Sequence, residues 1–112
     1  MSDRDAALNA LEHALDSAFL LALSEPARVA ILKALIARGA QDVGQLAEPL
    51  PQERSVVSRH VKVLAQAGLV RVERDGRRRV VHIVPAAFVG RLEQILATAR
   101  ECIAVCCPEE LP

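Results

Sequence analysis

The chain lacks the segments by which proteins are usually sent to or anchored in a membrane. Its start, Met-Ser-Asp-Arg-Asp, has no basic segment leading into an apolar run. No stretch approaches the roughly 18 apolar residues of a membrane span. Internal repeats, low-complexity tracts and linkers are also missing. We therefore expect a cytoplasmic protein with no membrane partner, folded as a single domain over residues 1–112.

Aromatic residues are almost missing as well, because Phe19 and Phe88 are the only two in 112 positions. Hydrophobic residues nevertheless make up 52% of the chain, which is enough for an aliphatic core and argues against disorder. There is no Gly-rich phosphate loop, no cofactor motif and no catalytic histidine or carboxylate constellation beside the cysteines. The sequence therefore predicts a folded protein that is not an enzyme and has no permanent cofactor.

Charge is balanced over the whole chain but unevenly distributed. The formal net charge is zero. Residues 1–50 carry four Lys/Arg and seven Asp/Glu, whereas residues 53–82 carry eight and three, and residues 83–112 carry two and four. The middle third is therefore at net +5, between two acidic flanks. Such a local excess favours contact with a polyanion.

Apolar residues recur at helical spacing in four segments over residues 3–66. Ser24 is a suitable N-cap for the second of these helices, and Gly39 is suited to end it. Asp42 can cap the third, which Pro49 and Pro51 stop. The four helical segments are residues 3–23, about 25–38, 42–47 and about 52–66.

After Leu69 the period changes from 3.6 to 2, which predicts two strands. Asp75-Gly76 favours a type I′ turn between them, and a last helix over residues 86–107 ends before Pro108. The predicted fold is mainly α with a small β-hairpin wing, a winged helix-turn-helix with residues 42–66 as the helix-turn-helix and 69–84 as the wing. We expect the terminal helices, residues 3–23 and 86–107, to pair with each other or with a second copy.

A helix pair followed by an arginine-tipped ribbon predicts binding to double-stranded DNA. The second helix can enter the major groove while the ribbon lies on adjacent phosphates. His60 is equally compatible with an ordinary packed histidine. The candidate DNA-binding residues are Gln52, Ser55, Val56, Ser58, Arg59, His60, Lys62, Arg77, Arg78 and Arg79.

Three segments resemble the ArsR family of winged-helix repressors, and the similarity covers nearly the whole chain. They are residues 22–28 (Ala-Leu-Ser-Glu-Pro-Ala-Arg), 42–47 (Asp-Val-Gly-Gln-Leu-Ala) and 57–64 (Val-Ser-Arg-His-Val-Lys-Val-Leu), the last leading into Ala-Gly-Leu-Val at 67–70. The resemblance implies a homodimer that binds an inverted-repeat operator and leaves it when an inducer binds.

Two inducer sites known in that family are missing from this sequence. Members with a metalloid site in the third helix carry Cys-Val-Cys there, where this chain has Asp42-Val43-Gly44. Zinc-sensing members carry Asp-x-His and His-x-x-Glu on the last helix, but residues 86–107 contain no histidine. Any inducer site must therefore use other residues.

All three cysteines, Cys102, Cys106 and Cys107, lie within six positions near the end of the chain. Residues four apart on a helix share one face, and Pro108 disfavours helical geometry at Cys107, so its thiol can turn inward. Soft thiolates select soft ions, and three of them suit pyramidal arsenic or antimony better than four-coordinate zinc. Some ArsR-family arsenite sensors similarly carry cysteines in the last helix. We predict As(III) as the inducer, with Sb(III) as a second one.

Two alternatives remain open for these cysteines. Cys102 and Cys106 continue an apolar stripe with seven-residue periodicity along the last helix, so they can be small hydrophobes at a dimer interface. A thiol-redox or reactive-sulfur switch is the other alternative, since a disulfide can form among the three thiols. Adjacent cysteines, however, form strained disulfides.

Overall fold

Helices dominate the computed structural model, which describes residues 2–111. The chain forms α1 (Asp3–Leu15), α2 (Ala18–Leu23), α3 (Pro26–Arg38), β1 (Gln41–Asp42), α4 (Val43–Ala47), α5 (Arg54–Gln66), β2 (Val70–Asp75), β3 (Arg78–Ile83) and α6 (Pro85–Cys106), then a 3₁₀ turn, Pro108–Glu110. The predicted winged helix-turn-helix is confirmed. Its helix-turn-helix is α4 and α5, and its wing is β2 and β3.

The first predicted helical segment is two helices, because the chain bends at Asp16 and Ser17. Asp16 leaves the helical region at φ −95° and ψ 54°. Ser17 then caps α2, its hydroxyl accepting the N–H of Leu20 at 3.3 Å. Side chains that bond to nearby backbone compete with helix continuation. The bend lets α1 pack along α6 while α2 buries Phe19 and Ala22 in the core.

One segment has the length and composition of a membrane span, which the sequence analysis did not anticipate. Over residues 3–23 an 18-residue window reaches a mean hydropathy of 1.2, and 11% of that window is buried. One such segment is weak evidence for a span. Within the chain it is bent at Asp16 and packs against α6.

One of the helix boundaries predicted from side-chain chemistry is wrong. Glu25, not Ser24, is the N-cap of α3, and the Ser24 hydroxyl instead donates to the Leu21 carbonyl at 2.6 Å. Gly39 ends α3 at φ +81°, as predicted. Asp42 caps α4 in a reciprocal capping box with Gln45.

The sheet has three strands in the order β1-β3-β2, one more than predicted. β1 pairs antiparallel with β3 through Gln41 and Asp42, and two residues are too few to show a period. Because Asp75 pairs with Arg78, Gly76 and Arg77 form the turn. Only Gly76 has a positive φ, +64°. The predicted type I′ turn is therefore wrong, and this pattern is typical of type II′.

The core lies between α2, α3, α4, α5 and the sheet, and the terminal helices extend beyond it. The largest fully buried side chains are Phe19, Ile31, Leu35, Leu46, Leu64, Leu69, Val57, Val61 and Val81. None of the described side chains of α1 is buried, and Cys102 is the one buried in α6. The molecule measures 54 × 22 × 21 Å, elongated for its length. The α1–α6 pair forms an arm with exposed apolar side chains, among them Leu8, Leu15, Val89, Leu92 and Leu96.

Candidate nucleic-acid interface and cysteine cluster

Helix α5 is strongly amphipathic, and this sets which of its residues reach solvent. Val57, Val61 and Leu64 are fully buried. The opposite face is solvent-exposed and carries Ser55, Arg59 and Lys62. The N-cap residue Glu53 makes no side-chain capping bond, so the first N–H groups of α5 are open to an anion. A phosphate or a base edge can therefore approach α5 from this side.

The wing is tied to α5 by a hydrogen bond from Arg79 Nη1 to Ser58 Oγ, at 2.9 Å. Beside this bond is a cleft of about 320 Å³, lined by Val43, Arg54, Ser55, Ser58, Arg77 and Arg79. Three guanidinium groups around one cleft favour an anion such as a phosphate. Arg54 is not among the DNA-binding residues predicted from the sequence, although a cation at the start of the fourth helical segment was a usable signal.

Arg78 is not among the side chains that line this cleft, and it holds the wing to α4. Its Nε and Nη2 donate to Asp42 Oδ2 at 3.1 and 3.0 Å. The other carboxylate oxygen, Oδ1, accepts the N–H of Gln45 at 2.8 Å. That backbone bond, with smaller contributions from Arg78 and Arg54 and an opposing one from burial, lowers the pKa of Asp42. The structure thus gives Arg78 a partner within the protein.

Three further candidate residues, in α5 and just before it, are partly covered. Gln52, Val56 and His60 are each half-buried. The Oε1 atom of Gln52 is buried without a hydrogen-bond partner in the described part of the chain. His60 Nδ1 lies 3.2 Å from Arg28 Nη1, so its ring contacts α3. These three residues are less accessible than Ser55, Arg59 and Lys62.

Asp42 makes two structural contacts that substitution can separate. Asp42→Ala removes both the cap of α4 and the partner of Arg78, and we expect the Tm to fall by about 5 °C. Asp42→Asn keeps a capping oxygen and should cost less. Because the folded-state pKa lies below 3.8, the stabilisation is present above pH 3.8 and is lost as the pH falls below it. Thermal unfolding at several pH values measures this, and an acid sensitivity unchanged in Asp42→Asn would contradict it.

The three cysteines lie together at the end of α6. Cys102 is 3% exposed, while Cys106 and Cys107 are half-buried. Cys106 is the last helical residue, and Cys107 leaves the helix at φ −150° and ψ 68°. The predicted end of the helix at Pro108 is thus confirmed, since the residue before a proline disfavours helical geometry.

Burial raises the pKa of Cys102, and so do its hydrogen bond with Cys106 and the neighbouring Cys106 and Cys107 thiols. Arg4 of α1 acts in the opposite direction. Cys102 is therefore buried within one chain, where α1 packs along α6, and not only at an interface with a second copy as its position in the apolar stripe suggested. Within residues 2–111 no three His, Cys, Asp or Glu side chains converge as a metal site.

Comparison with known proteins assigns the family. The helix-turn-helix domain family HTH_20 matches residues 23–73. The HTH-type transcriptional regulator Rv2034 of Mycobacterium tuberculosis is 45% identical over 69 residues. That alignment covers 62% of this chain and 64% of Rv2034, so the chain spans less than two thirds of this relative.

Two crystal structures are similar to this chain in both fold and sequence. The ArsR family transcriptional regulator RHA00566 is 30% identical with a TM-score of 0.69, over 80% of this chain and 94% of that one. A structure described as a possible transcriptional regulator for arsenical resistance is 37% identical with a TM-score of 0.60, over 70% and 77% of the chains.

Two further structures are informative about ligand and assembly. The AntR antimony-specific transcriptional repressor is 26% identical, with a TM-score of 0.58 over 74% of this chain and 75% of that one. The homodimeric winged helix-turn-helix domain Mb0332 of Mycobacterium bovis is 29% identical, with a TM-score of 0.58 over 87% of each chain. From its fold and these similarities, the chain belongs to the ArsR family of winged helix-turn-helix transcriptional regulators.

Proposed function

We propose that the protein is a cytoplasmic, homodimeric repressor that binds an inverted-repeat operator and releases it when As(III) or Sb(III) binds Cys102, Cys106 and Cys107. The observation that carries this proposal is the grouping of the three thiols on the terminal helix pair of a DNA-binding fold. The basic cleft and the thiols use different side chains. Ligand binding can therefore act on DNA binding without competing for the same residues.

DNA binding is assigned to α5 and the wing. In this proposal Ser55, Arg59 and Lys62 face base edges and phosphates in the major groove, because they are exposed polar residues on the side of α5 opposite its buried face. Arg54, Arg77 and Arg79 bind a phosphate at the cleft beside Ser58.

Arsenic and antimony fit the donor set. Arsenous acid, As(OH)₃, exchanges three hydroxyls for three thiols, so three As–S bonds form and three water molecules leave without any oxidant. Thiolate sulfur is the ligand that soft ions prefer. The structural neighbours described as regulators for arsenical resistance and antimony support this ligand class.

Ligand binding must change the end of α6, and this change is the proposed switch. In the described residues the three thiols do not converge as a metal site, so at least one of them has to move. Since α6 packs along α1, movement at its end alters the terminal helix pair. A 100-fold loss of operator affinity needs about 2.7 kcal/mol of coupling.

The proposal is tested with DNA that the protein selects itself. Duplexes enriched from a random library by the wild-type protein are labelled, and fluorescence anisotropy follows their release during titration with arsenite, antimonite, cadmium, zinc and a peroxide. We expect release by the two metalloids at the lowest concentrations. Release by zinc alone, or no enriched duplex, would contradict the proposal.

A thiol-redox switch is the second candidate, because the neighbouring Cys106 thiol contributes to the raised pKa of Cys102. Hydrogen peroxide would take two electrons and two protons from the two thiols, giving one disulfide and two water molecules. Helical cysteines four apart need a backbone adjustment to form that bond. Mass spectrometry decides: a reversible disulfide that abolishes DNA binding, with no response to arsenite, would favour this candidate.

Arg77 and Arg78 should affect DNA binding differently. Arg77→Ala removes a phosphate contact, so the slope of log K against log salt should fall by about 1. Arg78→Ala breaks the ion pair with Asp42 and should weaken binding with little change of slope. Anisotropy titrations between about 50 and 200 mM salt measure both. A wild-type slope in Arg77→Ala would remove this residue from the phosphate contacts.

A further inference from the structure

Arg28 lies where α2, α3 and α5 meet, and its guanidinium makes three contacts. Nε donates to the Ala22 carbonyl at 2.6 Å, and Nη2 donates to the Leu21 carbonyl at 3.1 Å. Nη1 lies 3.2 Å from Nδ1 of His60. A guanidinium can only donate, so Nδ1 accepts and the neutral ring carries its proton on Nε2.

Two of the three contacts fix Arg28 against the main chain. Leu21 and Ala22 belong to the last turn of α2, whose carbonyls carry partial negative charge. The Leu21 carbonyl also accepts the N–H and the hydroxyl of Ser24, at 3.2 and 2.6 Å. A cation is favoured at that position. Because main-chain atoms cannot change rotamer, the guanidinium plane is held, and the direction of its third bond is set as well.

The third contact reaches the helix that carries the proposed DNA-binding residues. His60 is half-buried in α5, next to the exposed Arg59. Apolar contacts of Val57, Val61 and Leu64 hold α5 against the core, but such contacts are non-directional. A hydrogen bond to one ring atom is directional, and it therefore adds a directional restraint to the rotation that the buried face of α5 already sets.

We infer that Arg28 is a positioning residue for DNA binding, an inference that rests on the function proposed for α5. Through His60 it fixes the setting of α5 relative to the end of α2. Since α2 follows α1 after a two-residue bend, this setting also depends on the terminal helix pair. Arg28 itself touches no DNA in this arrangement.

The test compares four variants with the wild type on the same enriched duplex. Arg28→Gln and His60→Leu should each weaken binding by about tenfold, because each removes the charge-assisted hydrogen bond between Arg28 and His60. His60→Asn keeps an acceptor near the position of Nδ1 and should stay within about twofold of the wild type. Lys33→Gln is the matched control, because it removes one exposed charge from the same helix and should also stay within about twofold.

Three measurements separate positioning from the other roles that Arg28 could have. The salt slope of Arg28→Gln should equal that of the wild type, because no phosphate contact is lost. The double variant Arg28→Gln with His60→Leu should bind no more weakly than the weaker single variant, because each single variant already lacks the bond between Arg28 and His60. Hydrogen exchange along residues 54–66 should increase in His60→Leu and not in His60→Asn.

Several results would overturn the inference. Wild-type affinity in both Arg28→Gln and His60→Leu, additive losses in the double variant, or a salt slope lower by about 1 in Arg28→Gln would each do so. If Arg28→Gln does not fold, the comparison of His60→Leu with His60→Asn still decides. A wild-type protein that enriches no duplex would overturn the proposed function as well, and this outcome is distinct from a loss confined to variants.

Discussion

Arsenite should lower the affinity of the wild-type protein for its DNA by about 100-fold, and Cys102→Ser, Cys106→Ser and Cys107→Ser should each lose this response while still binding DNA. Three sulfurs are needed to complete a pyramidal site, so a variant with two thiols forms one bond fewer. The coupling depends on the full site because only then must the end of α6 rearrange. Anisotropy of a labelled duplex, with and without arsenite, measures both properties in one titration.

Controls are needed because substitution at the end of α6 can disturb the helix itself. Cys102 is buried, so Cys102→Ala, which places no hydroxyl in an apolar site, should accompany Cys102→Ser. Ala104→Ser adds a hydroxyl at an exposed position between the thiols and should keep the arsenite response. A full response in all three serine variants would show that arsenite does not act through the cysteines.

The sequence predicts best those elements that have a period and a partner in the core. α5 is the clearest case, because Val57, Val61 and Leu64 recur on one face and are all fully buried. The two strands of the wing could be predicted equally well from the alternation of apolar and polar residues. The presence of a turn between them could be predicted from Gly76, although its type could not. Capping at Asp42 could be predicted because the interaction is local, with both partners three residues apart.

Contacts between distant residues could not be predicted in this way. Arg78 bonds to Asp42, thirty-six positions away, and Arg79 bonds to Ser58, twenty-one positions away. Only the fold brings these residues together. The bend at Asp16 could not be predicted, because the apolar residues of α1 and α2 follow the same helical spacing across it. For Cys102, helical periodicity identified a buried face but not what covers it, which in one chain is the packing with α1.

Dimer formation is the second prediction with a large effect, and it concerns the face of the α1–α6 arm that a single chain leaves exposed. Leu92 is 44% and Leu96 is 53% exposed on α6, with Val89 and α1 residues Leu8 and Leu15 similarly accessible. Several large apolar side chains exposed on one elongated arm mark an interaction surface. A second copy is the partner we propose, in agreement with the homodimeric Mb0332 domain.

The variant with both Leu92→Glu and Leu96→Glu should be monomeric and should bind the enriched duplex at least about 100-fold more weakly. The loss is large because a dimer reads two half-sites, and its second contact forms at high effective concentration. Sedimentation velocity measures the mass, and anisotropy measures the affinity. Ile36→Glu is the matched control, since Ile36 is 60% exposed on α3 and should leave the dimer intact. If Ile36→Glu dissociates the dimer while the α6 variant does not, the interface lies on α3 and the arm has another partner.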